Sequence, residues 1–174
     1  MPSTPKLTIA VRVAPEAASL LRTALGKTWR GTLNNALKSA VAALCRTEAH
    51  PLEGELCFYF TTDHEMRTLN GVYRGIEQTT DVLSFAYETV ADVVETPIGD
   101  VVISVETAQR QAALNQHDLL TELLMLALHG TLHLMGYDDS AEPERARMNA
   151  RAASTLRELG YAAHEEWCSR YENA

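Results

Sequence analysis

The sequence predicts an α+β fold, in which a small mixed sheet of four strands packs with about five helices. Four short stretches rich in β-branched and aromatic residues alternate irregularly with segments of helical periodicity. No repeat or low-complexity linker interrupts the 174 residues, so we expect a single domain over residues 1–174. A chain of this length can bury a core without metal or disulfide staples.

The first half of the chain holds two predicted strands and three predicted helices. Residues 7–13 alternate apolar and polar positions, as in a half-buried strand, and Pro15 is suited to the first turn of a short helix. Residues 33–45 carry leucine and valine at helical spacing. "GELCFYFTT" follows as a second strand. Thr62 and Glu65 then have the spacing of a capping box, which predicts a third helix ending near Gly71.

The second half is predicted to contain two strands, "DVLSFAY" and "GDVVISV", and then three helices. Residues 105–115 have a helical pattern, and Asp118 is placed to cap a long apolar helix that ends at Gly136. Ser140 is predicted to cap a last helix, which stops at Gly160.

Composition narrows the class of protein. Hydrophobic residues make up 46% and charged residues 22%, as in a globular domain. The net charge of -8 argues against a protein that coats nucleic acid by charge alone. Three widely spaced cysteines, Cys45, Cys57 and Cys168, are typical of reduced thiols in a cytoplasmic protein. Glu122 and two histidines interrupt the most apolar segment, so we expect no membrane span.

Those two histidines, His129 and His133, lie one helical turn apart and project from the same face of the long helix. Two imidazoles at this spacing can bind one metal ion, although a pair of hydrogen-bonded core histidines would show the same pattern. Gly130 occupies the position at which zinc proteases carry a general-base glutamate, which argues against peptide hydrolysis. A catalytic site needs a third ligand, and the turn after Gly136 can fold Asp139 back towards the imidazoles.

Three blocks of sequence carry a family resemblance. "HGTLHLMGYDD", "LNGVYRGIEQTTDVLSFAYE" and "IGDVVIS" resemble motifs of the YbeY family, which are bacterial metal-dependent endoribonucleases of ribosomal RNA maturation. The resemblance covers residues 69–139 and implies an α+β fold with a metal site at the end of a buried helix. It also implies one divalent ion of the zinc type and cleavage of single-stranded RNA near the three-prime end of small-subunit ribosomal RNA. The small subunit and its associated factors would then be partners.

The chain departs from the family pattern at the third metal ligand, where the family has a histidine and this sequence has Asp139. A carboxylate is an acceptable ligand, but its negative charge raises the pKa expected of a bound water above about 7. An oxygen donor also shifts preference towards manganese or ferrous iron. Three alternatives remain open: Asp138 is the ligand, His164 supplies it, or the site has decayed. Thr79 and Ala86 replace prolines, which loosens turns only.

Arg74 is the other candidate for chemistry, in the turn "GVYRGI" between a helix and a strand. A single arginine is usually a solvated surface residue, but the family block favours a guanidinium that binds the reacting phosphate. We therefore predict Arg74 and His129 as catalytic residues and His129, His133 and Asp139 as metal ligands. Asp81 and Asp100 are expected to cap turns at strand starts. The alternative functions are a metallohydrolase of another bond and a metal-poor, ribosome-associated binding factor.

Overall fold

Four strands form one mixed sheet in the computed structural model, which describes residues 6–49, 52–88 and 97–167. The strands are β1 (Leu7–Val13), β2 (Gly54–Thr61), β3 (Val82–Ala86) and β4 (Pro97–Ser104), in the order β1-β2-β4-β3. β2 is parallel to both β1 and β4, whereas β3 runs antiparallel to β4 at one edge. The predicted four-stranded mixed sheet is confirmed.

Six helices surround the sheet in the described part of the chain, one for each helical segment predicted along the sequence and close to the overall expectation of about five. They are α1 (Pro15–Leu25), α2 (Trp29–Arg46), α3 (Asp63–Arg74), α4 (Val105–Asn115), α5 (Leu119–Leu134) and α6 (Glu144–Glu158). The first two helices are separate, as predicted, because Gly26 follows α1 with a positive φ of 85°, a conformation that a helix cannot continue through. None of the described helices is long and apolar enough to cross a membrane.

The N-terminus of α3 differs from the predicted capping box. Thr62 is the N-cap residue, but its side chain accepts no capping hydrogen bond. Glu65 instead accepts the hydroxyls of Tyr59, at 2.8 Å, and Thr61. The helix also continues beyond Gly71 to Arg74, so Arg74 ends the helix and does not lie in the turn. Both hydroxyls belong to the neighbouring strand β2 and compete with the backbone for Glu65. The spacing of Thr62 and Glu65 in the sequence does not reveal this competition.

Both predicted ends of α5 are confirmed. The Asp118 carboxylate accepts the amide of Thr121 at 2.7 Å, which caps the first turn. At the other end Gly136 has a φ of 97°, and the Tyr137 amide donates to the Leu132 carbonyl at 3.1 Å. This bonding, with Gly136 donating to His133, is a Schellman motif. It ends the helix and turns the chain back over the last helical turn.

The start of α6 was predicted wrongly. Asp138 accepts both the amide and the hydroxyl of Ser140, at 3.0 and 2.8 Å, so Ser140 closes a local turn. The helix begins four residues later, at Glu144, after Pro143. Its end is as predicted, since Gly160 follows with a φ of 92°. Cys45 and Cys57 are free thiols, and Cys168 lies outside the described residues.

Helix α5 is the centre of the core. Every residue from Thr121 to Leu132 is buried, and the helix contacts α2, α4, α6, β3 and β4. The sheet presents Phe58, Phe60, Val101 and Ile103 to the same hydrophobic cluster. Because α5 is covered on nearly all sides, its polar residues must find partners within the fold or line an opening to solvent.

Candidate metal centre and its cleft

Three side chains converge at the C-terminal end of α5. His129 Nε2 lies 3.1 Å from His133 Nε2, and Asp139 Oδ2 lies 3.2 Å from the first and 3.3 Å from the second. The His129 side chain is 1% exposed, while those of His133 and Asp139 are 30% and 16% exposed. The site therefore has a buried inner wall and an outer side that faces solvent.

A hydrogen bond fixes the tautomer of His133. Its Nδ1 lies 3.1 Å from the Tyr137 carbonyl, which can only accept, so Nδ1 carries a proton, and in the neutral ring Nε2 carries a lone pair. Nε2 faces an Asp139 oxygen, which is an acceptor. The contact between a neutral His133 and this oxygen is repulsive unless a cation or a proton lies between the two atoms. The donor set is thus arranged for a positive charge.

The distances fit a four-coordinate ion. Bonds of about 2.0 to 2.1 Å to imidazole nitrogen and carboxylate oxygen place tetrahedral ligands about 3.3 Å apart, close to the 3.1, 3.2 and 3.3 Å found here. His129, His133 and Asp139 form a group suited to holding a metal ion, judged by ligand-atom spacing. Two imidazoles and one carboxylate leave a fourth position for water or substrate.

Gly130 explains why no general base follows His129. A Cβ at this position would lie 2.6 Å from Val101 Cγ1 and 2.9 Å from Ser84 Oγ, because α5 packs directly against the sheet there. The Ser84 hydroxyl also donates to the Gly130 carbonyl at 3.1 Å. A glutamate side chain cannot be accommodated in this space. The structure thus supplies a steric reason against the protease arrangement.

The turn that carries Asp139 is held from two sides. The Tyr137 hydroxyl donates to the Glu48 carboxylate at 3.0 Å, and burial with this neighbour raises the pKa of Tyr137. Arg151 donates to the same carboxylate at 2.8 Å. On the other side Arg145 Nε donates to the backbone carbonyl of Asp139 at 3.0 Å. These contacts fix the backbone of the turn, and so the position of the carboxylate.

The two other candidates for third ligand lie outside the cluster. Asp138 is occupied by Ser140, whose backbone amide lowers the pKa of the Asp138 carboxyl. His164 stacks on His117, with ring centroids 4.9 Å apart, and its amide donates to His117 Nε2. The geometry therefore favours Asp139, the residue that the spacing predicted.

A cleft of about 520 Å³ opens onto the cluster. Arg74 lies on its lining as an exposed side chain, together with all three candidate ligands. The structure thus brings the predicted phosphate-binding residue and the predicted ligands to one cavity. Ser84 and Arg145, which were not predicted as site residues, also line the cleft. No local pattern marks either residue, because both reach the cleft through the packing of β3 and α6 against α5.

The two aspartates expected to cap turns behave differently. Asp81 precedes β3 and accepts the Val82 amide at 2.8 Å, as expected of a residue that caps a turn. Its carboxylate also accepts a hydrogen bond from Gln111 Nε2 at 2.9 Å, and the residue lines the cleft. Asp100 lies inside β4, because that strand begins earlier, at Pro97, so its prediction as a turn cap was wrong. It instead accepts the hydroxyl of Tyr87 at 2.6 Å.

Comparison with known proteins agrees with this geometry. A family model described as Endoribonuclease YbeY matches residues 24–160. The chain is 42% identical over 139 residues to an Endoribonuclease YbeY from Heliobacterium modesticaldum, covering 73% of this chain and 82% of the relative. It is 40% identical over 146 residues to that of Moorella thermoacetica, covering 78% and 90%. The solution structure of TM1509 from Thermotoga maritima has the same fold, with a TM-score of 0.52 at 20% identity, covering 94% and 99%.

Proposed function

The chain belongs to the endoribonuclease YbeY family, and from this premise we propose that it cleaves single-stranded RNA at a divalent metal ion held by His129, His133 and Asp139. As a member of this family the protein is a hydrolase that acts on RNA. The observation that carries the metal-dependent mechanism is the convergence of three ligand atoms within 3.3 Å of one another in a cleft that also contains Arg74.

The residues around the cleft have separable roles. A divalent ion held by His129, His133 and Asp139 would polarise a phosphoryl oxygen as a Lewis acid and would lower the pKa of a bound water. Arg74 binds the non-bridging oxygens of the same phosphate through its planar fork of N–H donors, and offsets the negative charge that grows during attack. The Tyr137 carbonyl keeps His133 in the tautomer with a lone pair on Nε2. The packing around Gly130 leaves no room for the general-base glutamate of a zinc peptidase, which disfavours hydrolysis of peptide bonds.

The proposed substrate is ribosomal RNA near the three-prime end of the small-subunit molecule, within maturing ribosomes in the cytoplasm. The proposed partners are therefore the small subunit and its associated factors. A net charge of -8 makes broad attraction to polyphosphate weak, so recognition depends on local contacts around the cleft. We expect the substrate to be single-stranded, because the RNA backbone must bend to enter a site whose inner wall is the buried end of α5.

Substitution of the third candidate ligand, Asp139, tests which metal the site binds. We propose zinc, with manganese or ferrous iron as competitors, because one carboxylate stands beside two imidazoles. In Asp139→His a neutral ring replaces a negative charge, so zinc should bind more tightly and the activity optimum should move to lower pH. A shift of the pH–rate profile to higher pH, with the metal retained, would show that Asp139 is not a ligand.

Elemental analysis and RNA cleavage test the function together. The purified protein should hold about one transition metal ion per chain, and His129→Ala with His133→Ala should lose both the metal and the cleavage. The substrates are a short labelled RNA strand, the same strand in a duplex, and a peptide control. Full metal occupancy in the double variant would refute the site. A metal-free wild type that cleaves no RNA with zinc, manganese or iron would instead indicate a ribosome-associated binding factor.

A further inference from the structure

Large apolar side chains are unusually exposed beside the cleft. Of the six described residues of this kind, four lie at the end of α3, just after it, or beyond the end of β3: Val72, Tyr73, Ile76 and Tyr87. Tyr73 is 64% exposed, and its ring centroid lies 4.8 Å from that of Phe85 at an interplanar angle of 59°. An exposed aromatic cluster on a soluble domain usually marks a binding surface.

Tyr87 continues the row begun by Phe85. The two residues are two apart along an extended chain, so their rings lie on the same face of the edge strand, and the Tyr87 amide still bonds to the Ile98 carbonyl at 3.0 Å. The Tyr87 hydroxyl donates to Asp100 Oδ2, a bond that raises the pKa of Tyr87 to about 12. The phenol therefore stays neutral and its ring is held in orientation. We call Tyr73, Phe85 and Tyr87 the aromatic shelf.

The aromatic shelf borders the cleft across the edge strand. Ser84 and Phe85 are consecutive in β3 and face opposite sides of the sheet: the Ser84 hydroxyl donates to the Gly130 carbonyl of α5, whereas Phe85 contacts Tyr73 of α3. Arg74, which directly follows Tyr73 and ends α3, lines the cleft. The shelf thus begins one residue away from the predicted phosphate-binding arginine and extends along the outer edge of the sheet. A strand of nucleic acid whose phosphate is bound at Arg74 would place a neighbouring base within reach of these rings.

Charge alone is a poor source of affinity at this place. The cleft is lined by two basic residues, Arg74 and Arg145, and by two acidic ones, Asp81 and Asp139. Few phosphates can be neutralised there, and the whole chain is negative. Base–aromatic stacking needs no net charge, and alanine substitution of one stacking residue typically weakens binding substantially.

We propose that the aromatic shelf binds unpaired RNA bases next to the scissile phosphate by stacking. This inference rests on the proposed function, because it assigns the residues that hold the substrate of that site. Stacking requires bases that are free of a partner strand, so the shelf also supplies a selection for single-stranded RNA. Every base has a stacking face, so the shelf should tolerate many sequences.

The test combines alanine variants with abasic RNA. Binding of a short labelled RNA strand is followed by stopped-flow anisotropy, and cleavage is measured on the same samples. Tyr73→Ala and Tyr87→Ala should each raise Kd roughly 5- to 100-fold, with kcat within about twofold of the wild type. Tyr73→Phe should restore most of the affinity. Leu114→Ala, a residue 63% exposed on α4, is the matched control and should change nothing.

An abasic version of the strand separates stacking from contact with phosphates. The wild type should bind the abasic strand weakly, with the same Kd that the double variant of Tyr73→Ala and Tyr87→Ala has for the full strand. The double variant should bind the abasic strand and the full strand with equal Kd. Equal Kd values for wild type and both alanine variants would overturn the shelf and indicate another occupant, such as a protein. Anisotropy decides this even if the wild type cleaves nothing, an outcome that refutes only the proposed activity.

Discussion

Two clusters of histidine and carboxylate are built around helix α5, one near its start and one at its end, and only the second opens onto a cleft. We call the first the inner cluster: Glu122, His117, Asn115 and Trp167. The Glu122 carboxylate is fully buried and accepts Trp167 Nε1 at 2.8 Å, His117 Nδ1 at 2.8 Å and Asn115 Nδ2 at 3.2 Å. The second is the candidate metal site, whose His129 and His133 lie about two and about three helical turns further along α5. It opens onto a cleft.

The clusters differ in how donors and acceptors are matched. The His164 amide donates to His117 Nε2 at 3.0 Å, so His117 is neutral and its Nδ1–H donates to Glu122. Burial raises the pKa of Glu122, and the donors from Trp167 and His117 oppose that shift. In the candidate metal cluster two imidazole nitrogens and a carboxylate oxygen lie within 3.3 Å of one another. The same residue types thus stabilise the fold in one place and form a candidate cation site in the other.

The inner cluster also fixes a distant part of the chain. Trp167 follows α6 by nine residues, yet its indole is 1% exposed and lies 5.5 Å from the His129 ring. Glu122 therefore anchors a segment that packs against His129, the buried member of the candidate ligand set. Variants in the inner cluster should lower the free energy of unfolding, whereas variants at the cleft should lower metal binding or RNA cleavage, so comparing them separates the two effects.

The largest effect is expected from Glu122→Ala. Removing the buried carboxylate leaves the donors of Trp167 and His117 without their acceptor, so the free energy of unfolding should fall by about 3 to 5 kcal/mol. Chemical denaturation measures the change. Glu122→Gln, which keeps one acceptor oxygen, is the control and should lose less. A decrease under about 1 kcal/mol would contradict the role of the inner cluster.

Arg74→Ala should leave stability and metal content unchanged, in contrast to Glu122→Ala. Loss of a phosphate-binding guanidinium should lower the rate of RNA cleavage roughly 10² to 10³-fold. Single-turnover time courses on a short labelled strand give this rate. Arg74→Lys keeps the charge without the two-pronged geometry and should recover only part of it. A wild-type rate in Arg74→Ala would remove this residue from the site.

Tyr137→Phe tests how the turn supports the metal cluster. Loss of the hydrogen bond from the Tyr137 hydroxyl to Glu48 should lower the free energy of unfolding by about 0.5 to 1.5 kcal/mol. Metal affinity should weaken several-fold, because the same residue's carbonyl holds His133. Competition with a chelator measures the affinity. Tyr161→Phe at the end of α6 is the matched control. An unchanged metal affinity in Tyr137→Phe would show that the hydrogen bond from Tyr137 to Glu48 does not support the metal site.

The smallest effect is a pH dependence at Asp63, which belongs to neither cluster. Burial raises the pKa of its carboxyl, but hydrogen bonds from Ser104, Thr107 and Arg110 outweigh burial and hold it below the usual 3.8. A depressed pKa stabilises the fold above that ordinary value, and this stabilisation is lost as pH falls through the folded-state pKa. The stability difference between wild type and Asp63→Asn should therefore be constant near neutrality and shrink below about pH 4. A constant difference down to pH 2 would contradict this.

Local sequence determined the features that depend on neighbouring residues. The strand β1, the cap of Asp118, the left-handed Gly136 and the end of the last helix at Gly160 were all predicted, because each rests on backbone geometry within a few positions. The spacing of His129, His133 and Asp139 was equally local, since one helical turn and one Schellman motif connect them. Their convergence could therefore be expected before the fold was seen.

Tertiary packing decided the rest. Glu65 accepts the hydroxyls of β2, so the predicted capping box of α3 did not form. The predicted cap at Ser140 failed for a local reason, because Asp138, two residues before it, accepts its amide. Arg145 reached the cleft, Trp167 reached Glu122, and Tyr73 met Phe85 only because elements distant in sequence pack together. Sequence spacing fixes which side chains share a face, whereas contacts between elements depend on the whole core, whose arrangement no local pattern encodes.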